Sequence, residues 1–103
     1  MPLDHAIDHV RLAELCRRYH VAKLELFGSR AKGTARPDSD VDLLVTFEPG
    51  QTPGLEFVSL CDEFEVLFGH RVDVLTRAAV EASENRYFKS YALQVVETLY
   101  HAA

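Results

Sequence analysis

Three aspartates stand where their carboxylates could act together. Asp40 and Asp42 flank Val41 at the start of an otherwise apolar run that ends at Phe47. Residues i and i+2 of a strand point to the same face, which places these two Cα atoms about 7 Å apart. Two such carboxylates would repel each other and lose hydration unless a divalent cation or a phosphate-bound metal neutralises them. The spacing therefore indicates a site for a cation or for a metal-bound phosphate.

The third carboxylate, Asp73, lies between Val72 and Val74 in a segment, 71–76, that again alternates like a strand. Taken alone, it is most simply a structural acid, and a solvated strand end is the alternative for Asp40. If the two strands pair side by side, three acids converge. Hard carboxylate oxygens suit Mg²⁺, and two ions there would stabilise the attacking and leaving oxygens of an in-line phosphoryl or nucleotidyl transfer.

A glycine and a serine, Gly28 and Ser29, follow the first predicted strand. A glycine lacks Cβ and lets a ligand approach the backbone closely, and a turn that starts at Ser29 presents N–H groups and a hydroxyl to an anion. This pair therefore predicts a phosphate-binding turn. Taken alone, the same two residues would more simply be an ordinary turn with Ser29 as a helix N-cap.

Hydrophobic periodicity divides the chain into helices and strands that alternate. Spacing near 3.6 residues predicts helices over residues 4–19, 55–68 and 84–101, with a short turn at 78–83. Alternation predicts strands over 21–27, 41–47 and 71–76, of which 41–47 is central. In the first strand we expect Leu24 and Leu26 on one face and Lys23 and Glu25 on the other. The pattern indicates an α/β (α+β) fold, a small mixed β-sheet flanked by helices.

The composition predicts one folded domain over residues 1–103. Of these, 48% are hydrophobic and 26% are charged, as in globular proteins. The net charge of −5 argues against stable nucleic-acid binding, which relies on cations that cover phosphates. No apolar run approaches the roughly 20 residues of a membrane span, and the first residues do not resemble a secretory signal, so we expect a cytoplasmic protein. Cys16 and Cys61 are expected to be reduced core residues.

The chemistry-bearing residues also resemble a known signature. Gly28-Ser29, ten residues and then Asp40-Val41-Asp42 are similar to the motif of the nucleotidyltransferase superfamily that includes DNA polymerase β. Four fixed identities at this spacing would occur by chance in about one chain in a thousand. The small size resembles the minimal nucleotidyltransferase branch. The resemblance implies the polymerase β-like nucleotidyltransferase fold in a single minimal domain.

The resemblance implies a role for each matching residue. Asp40 and Asp42 match the acids that bind the metal ions, expected to be two Mg²⁺. Asp73 matches the third acid, which ligates the catalytic metal and helps to deprotonate the attacking hydroxyl. Arg30 and Lys32 suit phosphate by charge and place, with solvated loop cations as the alternative. The residues that would hold the triphosphate of ATP are Gly28, Ser29, Arg30 and Lys32.

The resemblance also implies a partner and an acceptor. Polymerase members add elements that grip a template, and members that modify antibiotics add a helical substrate domain, and neither is expected here. The remaining branch acts as the antitoxin of an all-helical HEPN ribonuclease toxin and adds AMP from ATP to a tyrosine of that toxin. We therefore expect a Mg²⁺-dependent protein adenylyltransferase.

Two alternatives remain open at this stage. One is a non-catalytic antitoxin module that neutralises its partner by contact through an apolar stripe. The other is an aminoglycoside-type, small-molecule nucleotidyltransferase in which a neighbouring subunit completes the acceptor pocket. The residues that would supply the contact surface of the first alternative are Tyr87, Phe88, Tyr91, Val95, Leu99 and Tyr100.

Overall fold

The computed structural model of the chain describes residues 8–28, 40–94 and 97–102. Its helices are α1 (His9–Arg18), α2 (Glu56–Phe68), α3 (Arg77–Glu81) and α4 (Arg86–Gln94). Its strands are β1 (Val21–Phe27), β2 (Val41–Phe47), β3 (Val72–Thr76) and β4 (Glu97–His101). Within these ranges no helix is both long enough and apolar enough to cross a membrane.

The described strands form one mixed sheet in the order β3-β2-β1-β4. β1 pairs antiparallel with β2 and with β4, and β2 pairs parallel with β3. The prediction that 41–47 is a central strand is confirmed, because β2 has a neighbour on each side. The mixed sheet and its flanking helices confirm the predicted fold class.

Helices α1 and α2 pack against one face of the sheet and form the larger core. Asp8 is the N-cap of α1, and its carboxylate accepts hydrogen bonds from the N–H groups of Val10 and Arg11. Residues 4–7 of the predicted helix lie outside the described residues. α2 confirms the prediction for 55–68 and ends at Gly69, which adopts the left-handed conformation with φ of 69°. The buried residues of this core are Leu12, Leu15, Cys16, Val21, Leu24, Leu26, Val41, Leu43, Val45, Leu60, Phe64 and Phe68.

Helices α3 and α4 cover the other face of the sheet. Their smaller core contains Phe27, Leu44, Val80 and Ala92. The segment predicted as a turn at 78–83 is instead helix α3, which begins when the Thr76 hydroxyl accepts a hydrogen bond from the N–H of Ala79. Because this face is covered too, the central strands β1 and β2 are largely buried on both sides.

The predicted helix over 84–101 is wrong for residues 97–101. α4 ends at Gln94, and Glu97–His101 form β4 along the open side of β1. Without β4, the buried β1 backbone would have unpaired N–H and C=O groups on that side, which is costly. Of the predicted helical stripe, Leu99 therefore lies in a strand, and Val95 lies outside the described residues.

The two cysteines differ in environment. Cys16 is fully buried in the larger core, as predicted, and burial raises the pKa of its thiol to about 12. Cys61 is half-buried, so the expectation of a core position holds for it only in part. Burial, followed by the nearby charge of Asp62, raises the pKa of Cys61 as well. Both are free thiols.

Candidate active site

Two of the three predicted carboxylates occupy matching positions in neighbouring strands. Asp42 of β2 and Asp73 of β3 are direct partners in the parallel register. Partners in register point to the same face, so their side chains stand next to each other. Asp73 is exposed and Asp42 is half-buried. The conditional prediction that these two strands pair side by side is therefore confirmed.

Asp40 lies at the entrance to β2, one residue before the strand begins, and is exposed. The backbone N–H of Val41 donates to the carbonyl of Arg71 at 2.8 Å, which ties the entrance of β2 to that of β3. Within residues 8–28, 40–94 and 97–102, no three His, Cys, Asp or Glu side chains form a ready-made metal cluster. The three acids thus share one end of the sheet, where Asp42 and Asp73 are direct neighbours.

The face on which the acids stand follows from the residues that come two positions later. Leu44 is buried in the smaller core, and Leu75 packs against it. Because alternate residues of a strand share a face, Asp42 and Asp73 lie on the face covered by α3 and α4. The carboxylates therefore lie at the end of the strands, where the apolar packing of that face stops.

Gly28 contacts the same place from β1. Phe27, the last residue of β1, is the register partner of Asp42, and Gly28 follows it with φ of 74°. A Cβ built on Gly28 would overlap the Asp42 carboxylate at Oδ2. Glycine is therefore required here twice, for its left-handed backbone and for the close approach of the carboxylate. This requirement gives a physical reason for the first position of the signature.

The other predicted phosphate-binding residues, Ser29, Arg30 and Lys32, lie outside the described residues. Their roles stay predictions. Of the predicted phosphate-binding turn, the structure describes only the Gly28 backbone, with the Asp42 carboxylate against it.

The donor set fits Mg²⁺ by its chemistry. Asp40, Asp42 and Asp73 offer carboxylate oxygens at one end of the sheet, and Mg²⁺ prefers oxygen ligands. Mg²⁺ usually takes one or two carboxylates from the protein and completes its shell with waters and substrate phosphates. The neighbouring pair Asp42 and Asp73 meets that requirement without a closed cluster of three protein ligands.

A buried acid on the same face was not anticipated. Glu25, expected beside Lys23 on the outer face of a half-buried strand, is 2% exposed. Its Oε1 accepts a 2.6 Å hydrogen bond from Nη1 of Arg77, and its Oε2 lies 3.6 Å from Nζ of Lys23. Burial alone would lower the pKa of Arg77, but the hydrogen bonds and charges of Glu25 and Glu81 together outweigh it and raise that pKa. The signal in the sequence that could have predicted this burial is an acid among the apolar residues of 21–27.

Comparison with known proteins identifies the family. A family model described as a nucleotidyltransferase domain matches residues 11–95, which span both strands of the carboxylate pair. The chain belongs to the nucleotidyltransferase domain family. The predicted family is thereby confirmed, and the chain is a nucleotidyltransferase, an enzyme that transfers nucleotidyl groups.

Among sequence relatives, the protein adenylyltransferase MntA of Thermococcus cleftensis (strain DSM 27260 / KACC 17922 / CL1) is 40% identical over 70 residues. The match covers 67% of this nucleotidyltransferase and 69% of MntA. The two proteins are homologous over these 70 residues.

Solved structures share the fold. One described as a minimal nucleotidyltransferase superposes with a TM-score of 0.64 at 35% identity and covers 86% of each chain. A toxin-antitoxin solved with AMP-PNP superposes with a TM-score of 0.68 at 16% identity and covers 93% of this chain and 75% of that one. The similarity to the second structure concerns the fold alone.

Proposed function

We propose that this nucleotidyltransferase moves AMP from ATP to a protein hydroxyl, a tyrosine of a HEPN ribonuclease toxin, and thereby acts as the antitoxin in the cytoplasm. One observation carries the proposal: Asp42 and Asp73 stand side by side, with Gly28 pressed against the Asp42 carboxylate. In that arrangement the Gly28 backbone would bind an anion next to a pair of carboxylates that would bind a cation. A nucleoside triphosphate bound through a divalent cation has the complementary charges.

The transfer is an in-line substitution at the α-phosphorus of ATP. The oxygen of the acceptor hydroxyl forms a bond to that phosphorus while the bond to the bridging oxygen of pyrophosphate breaks. Pyrophosphate leaves with the electron pair, and the hydroxyl proton passes to a carboxylate oxygen of Asp73. Asp73 suits this step because its side chain is exposed, so that an incoming hydroxyl can reach it.

Asp40, Asp42 and Asp73 would hold Mg²⁺, with two ions expected. Bound there, Mg²⁺ would neutralise charge on the phosphates and make the acceptor hydroxyl easier to deprotonate. In the chain itself, Gly28 has φ of 74° and lies against the Asp42 carboxylate, so its backbone would contact phosphates bound beside that carboxylate. Ser29, Arg30 and Lys32 are the proposed further contacts to the triphosphate.

The choice of a protein acceptor has two supports. The homologous MntA of Thermococcus cleftensis is named a protein adenylyltransferase, and it is 40% identical to this chain over 70 residues. In addition, the resemblance to minimal nucleotidyltransferases points to a partner that brings its own hydroxyl to a single domain spanning residues 1–103. The HEPN toxin and its tyrosine rest on that resemblance.

The test uses ATP labelled at either the α or the γ phosphate. The purified chain is incubated with Mg²⁺ and each ATP in a lysate of its host, and proteins are separated on a denaturing gel. We expect a second protein to take label from α-labelled ATP alone, and chelation of Mg²⁺ to abolish the labelling. Mass spectrometry of that protein identifies the acceptor and the modified residue.

Two variants control this experiment. The double variant Asp40→Ala, Asp42→Ala should not label the partner, whereas Asp62→Ala, which removes an exposed acid from α2, should label it normally. Equal labelling by the double variant would contradict the proposed site. A partner that co-purifies but takes no label from either ATP would instead favour a binding module without catalysis.

A further inference from the structure

Helix α4 exposes three aromatic side chains within five residues. Tyr87 is 83% exposed, Phe88 38% and Tyr91 46%. The helix is anchored by Ala92, which is buried, and by Leu93, which packs against the smaller core. Contiguous exposed aromatics are unusual on a protein surface and mark contact sites, since Tyr and Phe are enriched in interfaces.

The same stretch is basic in an acidic protein. The chain has a net charge of −5, yet Arg86–Gln94 contain Arg86 and Lys89 and no acid. Nζ of Lys89 donates to the carbonyl oxygen of Glu81 at 2.8 Å, which ties α4 to the end of α3. Arg86 is exposed. We call the set Arg86, Tyr87, Phe88, Lys89 and Tyr91 the α4 patch.

The α4 patch lies over the sheet face that carries the catalytic pair. Ala92 packs with Phe27 and Leu44, the residues next to Asp42 across and along the sheet. The chain then enters β4, where Glu97 pairs with Leu26, one residue before the partner of Asp42. α4 therefore runs toward the end of the sheet at which the carboxylates stand.

We propose that the α4 patch is the docking surface for the acceptor protein, and that it binds an acidic segment of that protein. The inference rests on the proposed function for the identity of the partner. Tyr87 and Phe88 supply apolar contact area, while Arg86 and Lys89 attract carboxylates. Without such a basic surface, an acidic segment would be repelled by the net negative charge and by the carboxylates of the site.

A second candidate surface lies on the opposite face of the sheet. A groove of about 430 Å³ between α1 and α2 is lined in part by Arg11, Glu14 and Val66. Its charges are of both signs, so it does not select an acidic segment. A protein bound there would also be separated from Asp42 by the sheet itself, which makes this groove the source of control variants.

The docking test needs no catalysis. Amide chemical shifts of the ¹⁵N-labelled chain are followed by NMR during titration with a short peptide that has one tyrosine between glutamates. A matched peptide carries glutamines in place of the glutamates. We expect the shifts to centre on residues 86–93, with at least tenfold weaker binding of the glutamine peptide. The double variant Arg86→Glu, Lys89→Glu should lose binding by a similar factor, and Arg11→Glu should bind as the parent does.

Three results would overturn the docking inference: shifts that centre on α1 and α2, equal affinity for the two peptides, or tighter binding of an oligo-dT strand than of the acidic peptide at the α4 patch. Because the peptide comparison uses the parent chain, a variant that fails to fold does not obscure the result. The oligo-dT arm separates an acidic protein segment from a nucleic acid, which the same aromatic and basic side chains would also attract.

A second measurement separates the docking inference from the proposed function. With the acceptor identified by α-labelling, Tyr87→Ser combined with Arg86→Glu should raise the KM for the acceptor at least tenfold and leave the KM for ATP unchanged. Unchanged KM for the acceptor would refute docking while transfer stands. Peptide binding at the α4 patch without any transfer to a protein would refute the proposed function and leave the binding surface in place.

Discussion

The two faces of the sheet differ in what their side chains can do. The face beneath α1 and α2 is packed with apolar side chains from Leu24, Leu43 and Phe64, each fully buried. The face beneath α3 and α4 has a smaller apolar core and bears acids from several strands, among them Glu25 and Asp42. The first face gives the chain most of its buried apolar contact, and the second bears the ionisable carboxylates.

Acids on the second face are treated in two ways. Glu25, in the middle of the sheet, is buried and neutralised within the protein by Arg77 and Lys23. Asp73, near the end of the strands, remains exposed to an incoming ligand. A buried charge must be paired inside the fold, whereas a charge at the strand ends can be paired by a substrate and its cation. The comparison predicts different consequences for removing each type of acid.

The largest effect of a substitution is expected for the carboxylates at the strand ends. Asp42→Asn should lower the rate of nucleotidyl transfer by about 1,000-fold, because it removes a charged ligand of the Mg²⁺ that would neutralise the reacting phosphates. The same change should leave the free energy of unfolding unchanged or raised in the absence of metal, since it relieves repulsion with Asp73. The measurements are transfer of label from α-labelled ATP and chemical denaturation.

The control for this prediction is Asp62→Asn on the outside of α2, which should change neither quantity. If Asp42→Asn unfolds the protein, the carboxylate is structural, and the contrast between acids at the strand ends and acids in the middle of the sheet is wrong.

The second effect concerns the buried pair in the middle. Arg77→Met should lower the free energy of unfolding by about 3 kcal/mol, because Glu25 would keep its buried charge with Lys23 as a weaker partner. Glu25→Gln should cost less, about 1 to 2 kcal/mol, since the Arg77 side chain is 30% exposed and water can reach it. Urea denaturation of both single variants and the double variant gives the coupling between them.

We expect the double variant to lose less stability than the sum of the two single variants. Equal losses in the single variants, or additivity in the double, would show that burial of Glu25 does not create the asymmetry.

Local patterns predicted the elements that carry the acids, because each pattern depends on near neighbours. The i, i+2 spacing of Asp40 and Asp42 predicts a shared face, although Asp40 precedes the first residue of β2, and Gly69 marks the end of α2 as a left-handed residue. Which strands lie next to each other depends on the whole chain. The pairing of Asp42 with Asp73 could therefore be predicted only as a condition, which the parallel register of β2 and β3 meets.

The errors have the same origin. Residues 84–101 carry a helical spacing, but Thr98 and Tyr100 pair with β1, whose open side needs a partner strand. Glu25 lies on the face that alternation assigns to it, and its burial results from helices more than fifty residues later in the sequence. Neither fact is contained in the local pattern, because both arise from contacts between distant parts of the chain.

A third prediction tests the role of the close contact between Gly28 and the Asp42 carboxylate. Gly28→Ala should lower the free energy of unfolding by about 1 to 2 kcal/mol, because alanine is strained at φ of 74°. The new Cβ would also push the Asp42 carboxylate from its place, so transfer should fall by more than the folded fraction does. A matched change is Gly50→Ala, since Gly50 has φ of 75° but nothing near its Cβ. It should reproduce the loss of stability and not the loss of transfer.

The smallest effect is expected on the first face, where a charged cluster lies at the surface. Glu63 accepts hydrogen bonds from the Tyr19 hydroxyl at 2.6 Å and from Arg18, and these bonds, led by that of Tyr19, hold its pKa below the usual value of 4.5. A lowered pKa stabilises the fold above the unfolded value and loses that contribution as the pH falls through the folded one. Because the Glu63 side chain is 41% exposed, Glu63→Gln should cost less than about 1 kcal/mol at pH 7. The difference from the parent should shrink below pH 4.5 in denaturation curves, and a difference that persists at low pH would mean that Glu63 acts through packing rather than through charge.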